Sequence, residues 1–281
     1  MLKTNYHTHC TFCDGKNTME EMVISAIDSN FDILGFSSHA MKPFSDMWHI
    51  KTDKYDDYTK TFYSFKDKYS NKIELYLGFE ADYIQNLTSP SIDNYKEYNP
   101  DYIIGSVHYV PGGSREEGFY EADGDGRTTL DNIRRLYGDD VEEAVTAYFE
   151  AERNMIYQGG FTFIGHCDLI RKQLSYSKLF NEEDFWYKEQ LKLTAKAISS
   201  SGMAVEVNTG GMARGYMSTP YPSMEFLTLM HDYNIPVTIN SDTHNISTVD
   251  YGFEQAKELI KKAGYKEVCF FSAGRLKMQN L

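Results

Sequence analysis

The chain has no run of about 18 apolar residues, so no segment reads as a membrane-spanning helix. Its first residues carry no apolar export core and no cleavage pattern. Cysteine is scarce: Cys10, Cys13, Cys167 and Cys269 are the only four in 281 residues, too few for a disulfide framework. These absences point to a reducing, cytoplasmic setting. Cys10 and Cys13 form a C-x-x-C, but no second thiol pair accompanies it, so they read as free thiols rather than a redox pair. Basic residues are also in deficit, with 28 Lys and Arg against 41 Asp and Glu and a net charge of −13. That argues against nucleic-acid partners, which need basic patches, and against an anionic membrane surface. A small anionic substrate stays compatible, because a bound cation can reverse the local sign.

Hydrophobic residues make up 41% and aromatics 15%, enough for a large, ring-rich core. Short β-branched or aromatic runs at 2–6, 33–38, 73–83, 102–110, 161–169, 203–208 and 236–241 predict strands. Amphipathic stretches at 19–29, 55–69, 141–157, 182–200, 223–233 and 251–263 predict helices, the first opened by a Thr18/Glu21 capping box. The run 268–272 suits an eighth strand. Alternating β and α units call for a parallel sheet. Seven or eight units in this length suit a closed barrel better than the alternative, an open doubly wound sheet. With no linker or repeat, residues 1–281 read as one domain. The Gly-, Asp- and Glu-rich stretch 111–129 reads as a loop over the barrel mouth or as a solvated insertion.

Six of eight histidines lie at or just after strand ends: His7, His9, His39, His108, His166 and His244. His49 and His231 do not. Parallel strands converge at their C-terminal ends, so these imidazoles would gather on one face. In an extended strand, residues i and i+2 share a side. His7-x-His9 and Asp242-x-His244 would each aim two groups at one point. Gly15 permits a turn that brings Asp14 back to the site. Glu80 is an acid inside an apolar strand, so it needs a metal or a basic partner; the neighbouring His108 favours the metal over a salt bridge. Six His and three carboxylates exceed what one tetrahedral zinc uses and suit two or three divalent ions. The ligand types fit Zn, Mn or Fe. The cysteines near them read as packing residues.

These residues, in order from His7-Thr8-His9 through Asp14-Gly15, His39, Glu80, His108 and His166 to Asp242-Thr243-His244, resemble the polymerase and histidinol phosphatase (PHP) superfamily. The resemblance implies a distorted (β/α)₇ TIM-like barrel with a trinuclear centre. His7, His9, Glu80 and Asp242 would hold one metal. Asp14, His39 and His244 would hold the second, and Glu80 would bridge to a third with His108 and His166. Gly105-Ser106-Val107-His108-Tyr109, the segment from Gly165 to Lys172, and Glu206-Val207-Asn208-Thr209 are similar to the monofunctional histidinol-phosphate phosphatase branch. That branch hydrolyses L-histidinol phosphate in histidine biosynthesis.

Phosphomonoester hydrolysis agrees with the residues. A metal cluster lowers the pKa of bound water to about 7, and a bridging hydroxide would attack in line. Asp14, Asp242 and His244 are expected to serve catalysis as well as metal binding. Arg171 and Arg214 are expected on the phosphate, with solvated surface arginines as the alternative. Asp168, Asn240 and Ser241 read as supporting groups behind the ligands. Ser106, Tyr109, Glu116 and Glu117 are expected to meet the substrate. Two other functions stay open: hydrolysis of another small phosphomonoester or nucleotide, and metal binding without turnover. Oligomeric state is not legible.

Overall fold

The computed structural model describes residues 1–113 and 117–281. In chain order its elements are β1 (Thr4–Asn5), α1 (Met19–Asp28), β2 (Ile33–Phe36), β3 (His39–Ala40), α2 (Tyr55–Lys68), β4 (Glu74–Asp82), β5 (Tyr102–Ser106), β6 (Tyr109–Pro111) and β7 (Phe119–Glu121). There follow α3 (Gly126–Tyr137), α4 (Val141–Gln158), β8 (Phe163–Ile164), α5 (Phe185–Ser201), β9 (Ala204–Asn208), α6 (Gly210–Ala213), α7 (Met224–Asp232), β10 (Val237–Asn240), α8 (Phe253–Lys262), β11 (Glu267–Ser272) and β12 (Arg275–Asn280).

Seven parallel strands run β1-β2-β4-β5-β8-β9-β10, and β3 pairs with the end of β4. The seam between first and last closes beyond the strand ends: His9 N–H donates to Thr243 O (2.9 Å) and Thr243 N–H to His7 O (3.2 Å). The expected barrel is therefore present, and the open sheet is not. It is distorted because β4 and β5 are joined by two short 3₁₀ turns instead of an α-helix.

Period-two alternation decides which side chains enter the barrel. On β4, Leu75, Leu77, Phe79 and Ala81 pack outward beneath the helices, while Tyr76 joins the interior cluster. Gly78, Glu80 and Asp82 follow Tyr76 on that inner side. On β9, Val205 and Val207 pack outward and Ala204 inward, which sends Glu206 and Asn208 inward too. The apolar residues that line the inside, among them Tyr6, Tyr102, Ile104, Phe163 and Phe271, fill its lower half. The polar ones collect at the opposite, C-terminal end of the strands.

Local signals account for several elements. Thr18 and Glu21 close a full capping box at α1, with Thr18 N–H to Glu21 Oε2 at 2.8 Å and Glu21 N–H to Thr18 Oγ1 at 3.3 Å. Three expectations change. The run 268–272 is no barrel strand. It pairs antiparallel with β12 across Ala273-Gly274, both at positive φ, and the hairpin plugs the barrel floor. A two-residue turn closes locally, whereas a parallel strand needs a long crossover. The stretch 111–129 holds structure: β6 and β7 form a hairpin with Val110 opposite Tyr120, and Asp125 caps α3. The strand expected at 161–169 shortens to two residues. Its C-terminal part turns into a 3₁₀ helix (Leu169–Ser175), begun by Leu169 N–H on His166 O at 2.8 Å.

Tyr102 crosses the barrel interior. Its hydroxyl donates to Tyr6 O (2.5 Å) or Phe36 O (3.0 Å), and its ring lies over Gly78, where a Cβ would stand 2.5 Å from Tyr102 Cζ. Only a residue without a side chain lets the ring in. Gly78→Ala should destabilise the protein by about 1–3 kcal/mol through overpacking. Urea and thermal unfolding check this, at about 2–4 °C per kcal/mol for a chain of this size.

Candidate metal centre

Glu80 reaches the barrel mouth from β4 and is 1% exposed. Its two oxygens face different groups. Oε2 lies 2.9 Å from His7 Nε2, 2.8 Å from His39 Nδ1 and 3.4 Å from His9 Nε2. Oε1 lies 3.0 Å from His166 Nε2 and 3.4 Å from His108 Nε2, and accepts the Ser106 hydroxyl at 2.8 Å. Burial opposes the charge on Glu80, but His7, His39 and His108 outweigh it and hold the carboxyl well below its ordinary range.

Two further carboxylates complete the ring. Asp242 Oδ1 is 3.3 Å from His9 Nε2, 3.5 Å from His7 Nε2 and 3.6 Å from His244 Nδ1. Its backbone sits at φ 48°, a left-handed conformation that Asp tolerates better than most residues. Asp14 Oδ1 is 3.2 Å from His244 Nε2 and 3.8 Å from His39 Nε2. The 11–17 loop folds back on itself through Thr11 N–H to Asn17 O (2.9 Å). Gly15 is required there by close approach: a Cβ would lie 2.5 Å from the Cys10 nitrogen. The turn expected at Gly15 is thus present, with steric closeness as its reason rather than a positive φ.

All nine residues expected as metal ligands converge. Ligand atoms of His9, Asp14, His39 and His244 lie within 4.8 Å of one another, as do those of His7, His9 and Asp242, and those of His39, Glu80 and His108. These groupings overlap the expected partition only in part: His9 and His39 are each shared between two groups, and Glu80 falls with His39 and His108 and not with His7, His9 and Asp242. His166 stands outside these groupings but shares Glu80 Oε1 with His108, their Nε2 atoms 3.3 Å apart.

The donor set fits divalent ions. Nε2 of His7, Nε2 of His9, Nδ1 of His39 and Oε2 of Glu80 are buried side by side without a hydrogen bond. Burial and the imidazoles of His244 and His39 push the His9 pKa well below its ordinary value, which favours the neutral ligand form. Buried groups left unpaired in this way are costly unless a cation occupies the space between them. The thiols are not ligands of this kind. Neither Cys10 nor Cys13 belongs to the groupings above; burial raises Cys10 to about 11 and Cys13 to about 12, and Cys13 Sγ touches His9 Nδ1 from behind at 3.5 Å.

The supporting layer behind these residues was read from the sequence only in part, and its central member was not singled out. Glu206, fully buried, receives His7 Nδ1 at 2.8 Å, Asn208 Nδ2 at 2.7 Å, Asn240 Nδ2 at 2.9 Å and the His166 N–H at 2.9 Å. Its signal was available: an acid between two buried valines, the pattern that singled out Glu80. Asn240 fills its expected supporting place, and Ser241 Oγ accepts from Asn5 Nδ2 at 2.7 Å.

The residues expected at the substrate divide. Arg214 lines the mouth, with Nη2 on Asp242 Oδ2 (2.8 Å) and Nη1 3.3 Å from His244 Nδ1. Arg171 does not reach it. The 3₁₀ turn after His166 carries it into the protein, where Nε donates to Glu182 at 2.6 Å and Nη1 lies 3.6 Å from Asp168. Asp168 accepts the Ser223 N–H at 2.7 Å instead of orienting His166 through a hydrogen bond. Ser106 lies beneath Glu80 rather than in the cavity. The Tyr109 hydroxyl donates to Asp46 while its ring stacks on Trp48. Glu117 is exposed and away from the cavity lining, and Glu116 lies outside the described residues. The cavity itself measures about 620 Å³ and adds Lys16, Asp123, Lys172 and Tyr216 around the metal ligands.

A parallel barrel with imidazoles and carboxylates packed at the C-terminal mouth defines a metal-binding α/β barrel. The chain belongs to the PHP domain family, whose model matches residues 5–210. A protein of Schizosaccharomyces pombe named "Probable histidinol-phosphatase" is 25% identical over 288 residues, covering 95% of this chain and 89% of the relative. The "Histidinol-phosphatase" of Bacillus subtilis is 25% identical over 274 residues, covering 90% and 98%. The crystal structure of histidinol phosphate phosphatase from Lactococcus lactis, complexed with zinc, L-histidinol and phosphate, has the same fold. It superposes with a TM-score of 0.74 at 21% identity over 98% of each chain.

Protein purified without chelator should carry about two to three equivalents of Zn, Mn or Fe by elemental analysis. Glu80→Ala should lose most of that metal, because one carboxylate faces both ligand groups. Retention of the full content would show that Glu80 is not the shared ligand.

Proposed function

We propose that the chain hydrolyses L-histidinol phosphate to L-histidinol and phosphate, as a metal-dependent phosphoric monoester hydrolase. The observation that carries this reading is Glu80, a buried carboxylate whose two oxygens serve separate imidazole groups at the mouth of a PHP barrel. His7, His9, Asp14, His39, Glu80, His108, His166, Asp242 and His244 would hold two or three divalent ions. When bound, such ions polarise phosphoryl oxygens and lower the pKa of water to about 7.

The chain's own groups supply binding and orientation. Arg214 is held by Asp242 with its guanidinium at the cavity, so its remaining N–H groups can meet a phosphoryl oxygen. Lys16 and Lys172 add positive charge to the same opening, in a chain whose net charge is −13. Lys172 is fixed by Asp123, at 2.8 Å, and lies 4.5 Å from the Tyr216 ring centre. Asp123 and Tyr216 line the same cavity, and an acid and a ring are the groups that would meet the ammonium and imidazole of the substrate. Glu206 holds His7 from behind, which fixes the ring's orientation toward Glu80. No helix of the described residues is long and apolar enough to cross a membrane. Four free cysteines accord with a cytoplasmic enzyme.

The test is phosphate release from L-histidinol phosphate beside a generic aryl phosphate and a nucleoside monophosphate. A much larger kcat/KM for histidinol phosphate is expected. His9→Ala should lower it at least about 100-fold. Equal weak rates on all three would reject this substrate, and bound metal without any turnover would reject the enzyme. Arg214→Ala should cost about 10- to 100-fold in kcat/KM, and Arg214→Lys should recover little, because an ammonium cannot reproduce the planar fork.

A further inference from the structure

Asp82 follows Glu80 by two residues on β4 and so shares its inward side. It is buried, and no Lys or Arg is paired with it among the described residues. Instead its carboxylate lies between two imidazoles: Oδ1 is 2.6 Å from His108 Nδ1, and Oδ2 is 2.5 Å from His49 Nε2. The other nitrogen of His49 lies 3.1 Å from Asp46 Oδ1. Asp46 in turn accepts the Trp48 N–H at 3.1 Å and the Tyr109 hydroxyl. The Trp48 ring stands edge-on to His108, with centroids 5.2 Å apart. The segment carrying these residues is tied to the centre by Ile50 N–H on His39 O at 2.9 Å.

His108 and His166 both present Nε2 to Glu80 Oε1, but only one is held from behind. His166 Nδ1 has no hydrogen-bond partner among the described residues, whereas His108 Nδ1 is engaged by Asp82. An imidazole ligates through one nitrogen, and the bond made by the other sets its tautomer and ring angle. We propose that Asp82 and His49 are positioning residues: the His49–Asp82–His108 chain fixes His108 so that Nε2 faces the metal position beside Glu80 Oε1. His49, which no strand end places at the site, thereby acts on it through Asp82. The inference rests on the metal centre of the proposed function.

The experiment uses the full chain, stripped with chelator and titrated with Zn²⁺ against a competing indicator, with bound zinc counted by elemental analysis. His49→Leu removes the donor to Asp82 and is expected to weaken one zinc equivalent by about 10- to 100-fold, leaving the others unchanged. His49→Gln keeps an N–H donor and should recover most of that loss. Unchanged zinc binding in His49→Leu would overturn the inference while leaving the metal centre intact. Equal losses in the Leu and Gln variants would also overturn it, since the donor would then be irrelevant. A wild-type chain that binds no zinc would overturn the centre itself and this inference with it. Should His49→Leu fail to fold, zinc-loaded wild type labelled with ¹⁵N-histidine decides. The His108 Nδ1–H bonded to Asp82 is expected as a downfield, slowly exchanging imidazole proton, and its absence would overturn the proposal.

Discussion

One buried carboxylate governs the mouth of this barrel. Glu80 lies 1% exposed, where an unpaired charge would be costly, and five imidazoles surround its two oxygens. Imidazoles answer that cost only when protonated, and they divide: against burial, Glu206 and Glu80 hold His7 well above its ordinary value, whereas crowding by other imidazoles works the other way. His9 shows this: its neighbours His244 and His39 add to burial in driving its pKa down. Neutral imidazole and ionised carboxylate facing one space are the donor chemistry of a divalent cation.

The requirement propagates outward. His7 can face Glu80 only because Glu206 takes its other nitrogen, and Glu206 is itself satisfied by Asn208, Asn240 and the His166 backbone. Asp82 serves His108 in the same manner, and Ser106 supports Glu80 from below. The centre thus has a shell of buried polar groups that do not line the cavity. Removing one partner of such a network strands another buried group, so its members are constrained as strongly as the ligands are. Beneath it the barrel turns apolar, with Tyr102 spanning the interior and the C-terminal hairpin closing the floor through Tyr6 and Phe271, whose backbone N–H donates to the Tyr6 hydroxyl at 2.8 Å.

Charge is distributed unevenly along the same axis. The chain is strongly acidic overall, yet Lys16, Lys172 and Arg214 stand at the cavity. Arg214 is tied to Asp242, which burial alone would neutralise and which Arg214 and His7 keep ionised. A single guanidinium therefore keeps a ligand carboxylate charged and faces the space a phosphate would enter. Arg171 illustrates the opposite case. It follows His166 by five residues, but the 3₁₀ turn directs it to Asp168 and Glu182, where it serves packing on the α5 side.

The parallel barrel, most of its helices and the nine converging His, Asp and Glu residues were legible because each leaves a periodic or positional trace: alternation along strands, a capping box at Thr18, imidazoles at strand ends. Glu206 and Asp82 left the same trace as Glu80 and were readable by the same rule. Other features left none. The direction of Arg171 depends on how a two-residue strand ends, and the partner of β11 on a turn competing with a crossover. His49 reaches the centre only because the segment after β3 folds over it. By itself, then, the sequence determined the barrel and the donor types gathered at its mouth, since hydrophobic periodicity and donor type are properties of the chain. Only the tertiary structure decided which oxygen of Glu80 faces which imidazole, which arginine reaches the cavity and what holds the ligands from behind. Those are distances between segments far apart in sequence, and they exist only once the barrel has closed.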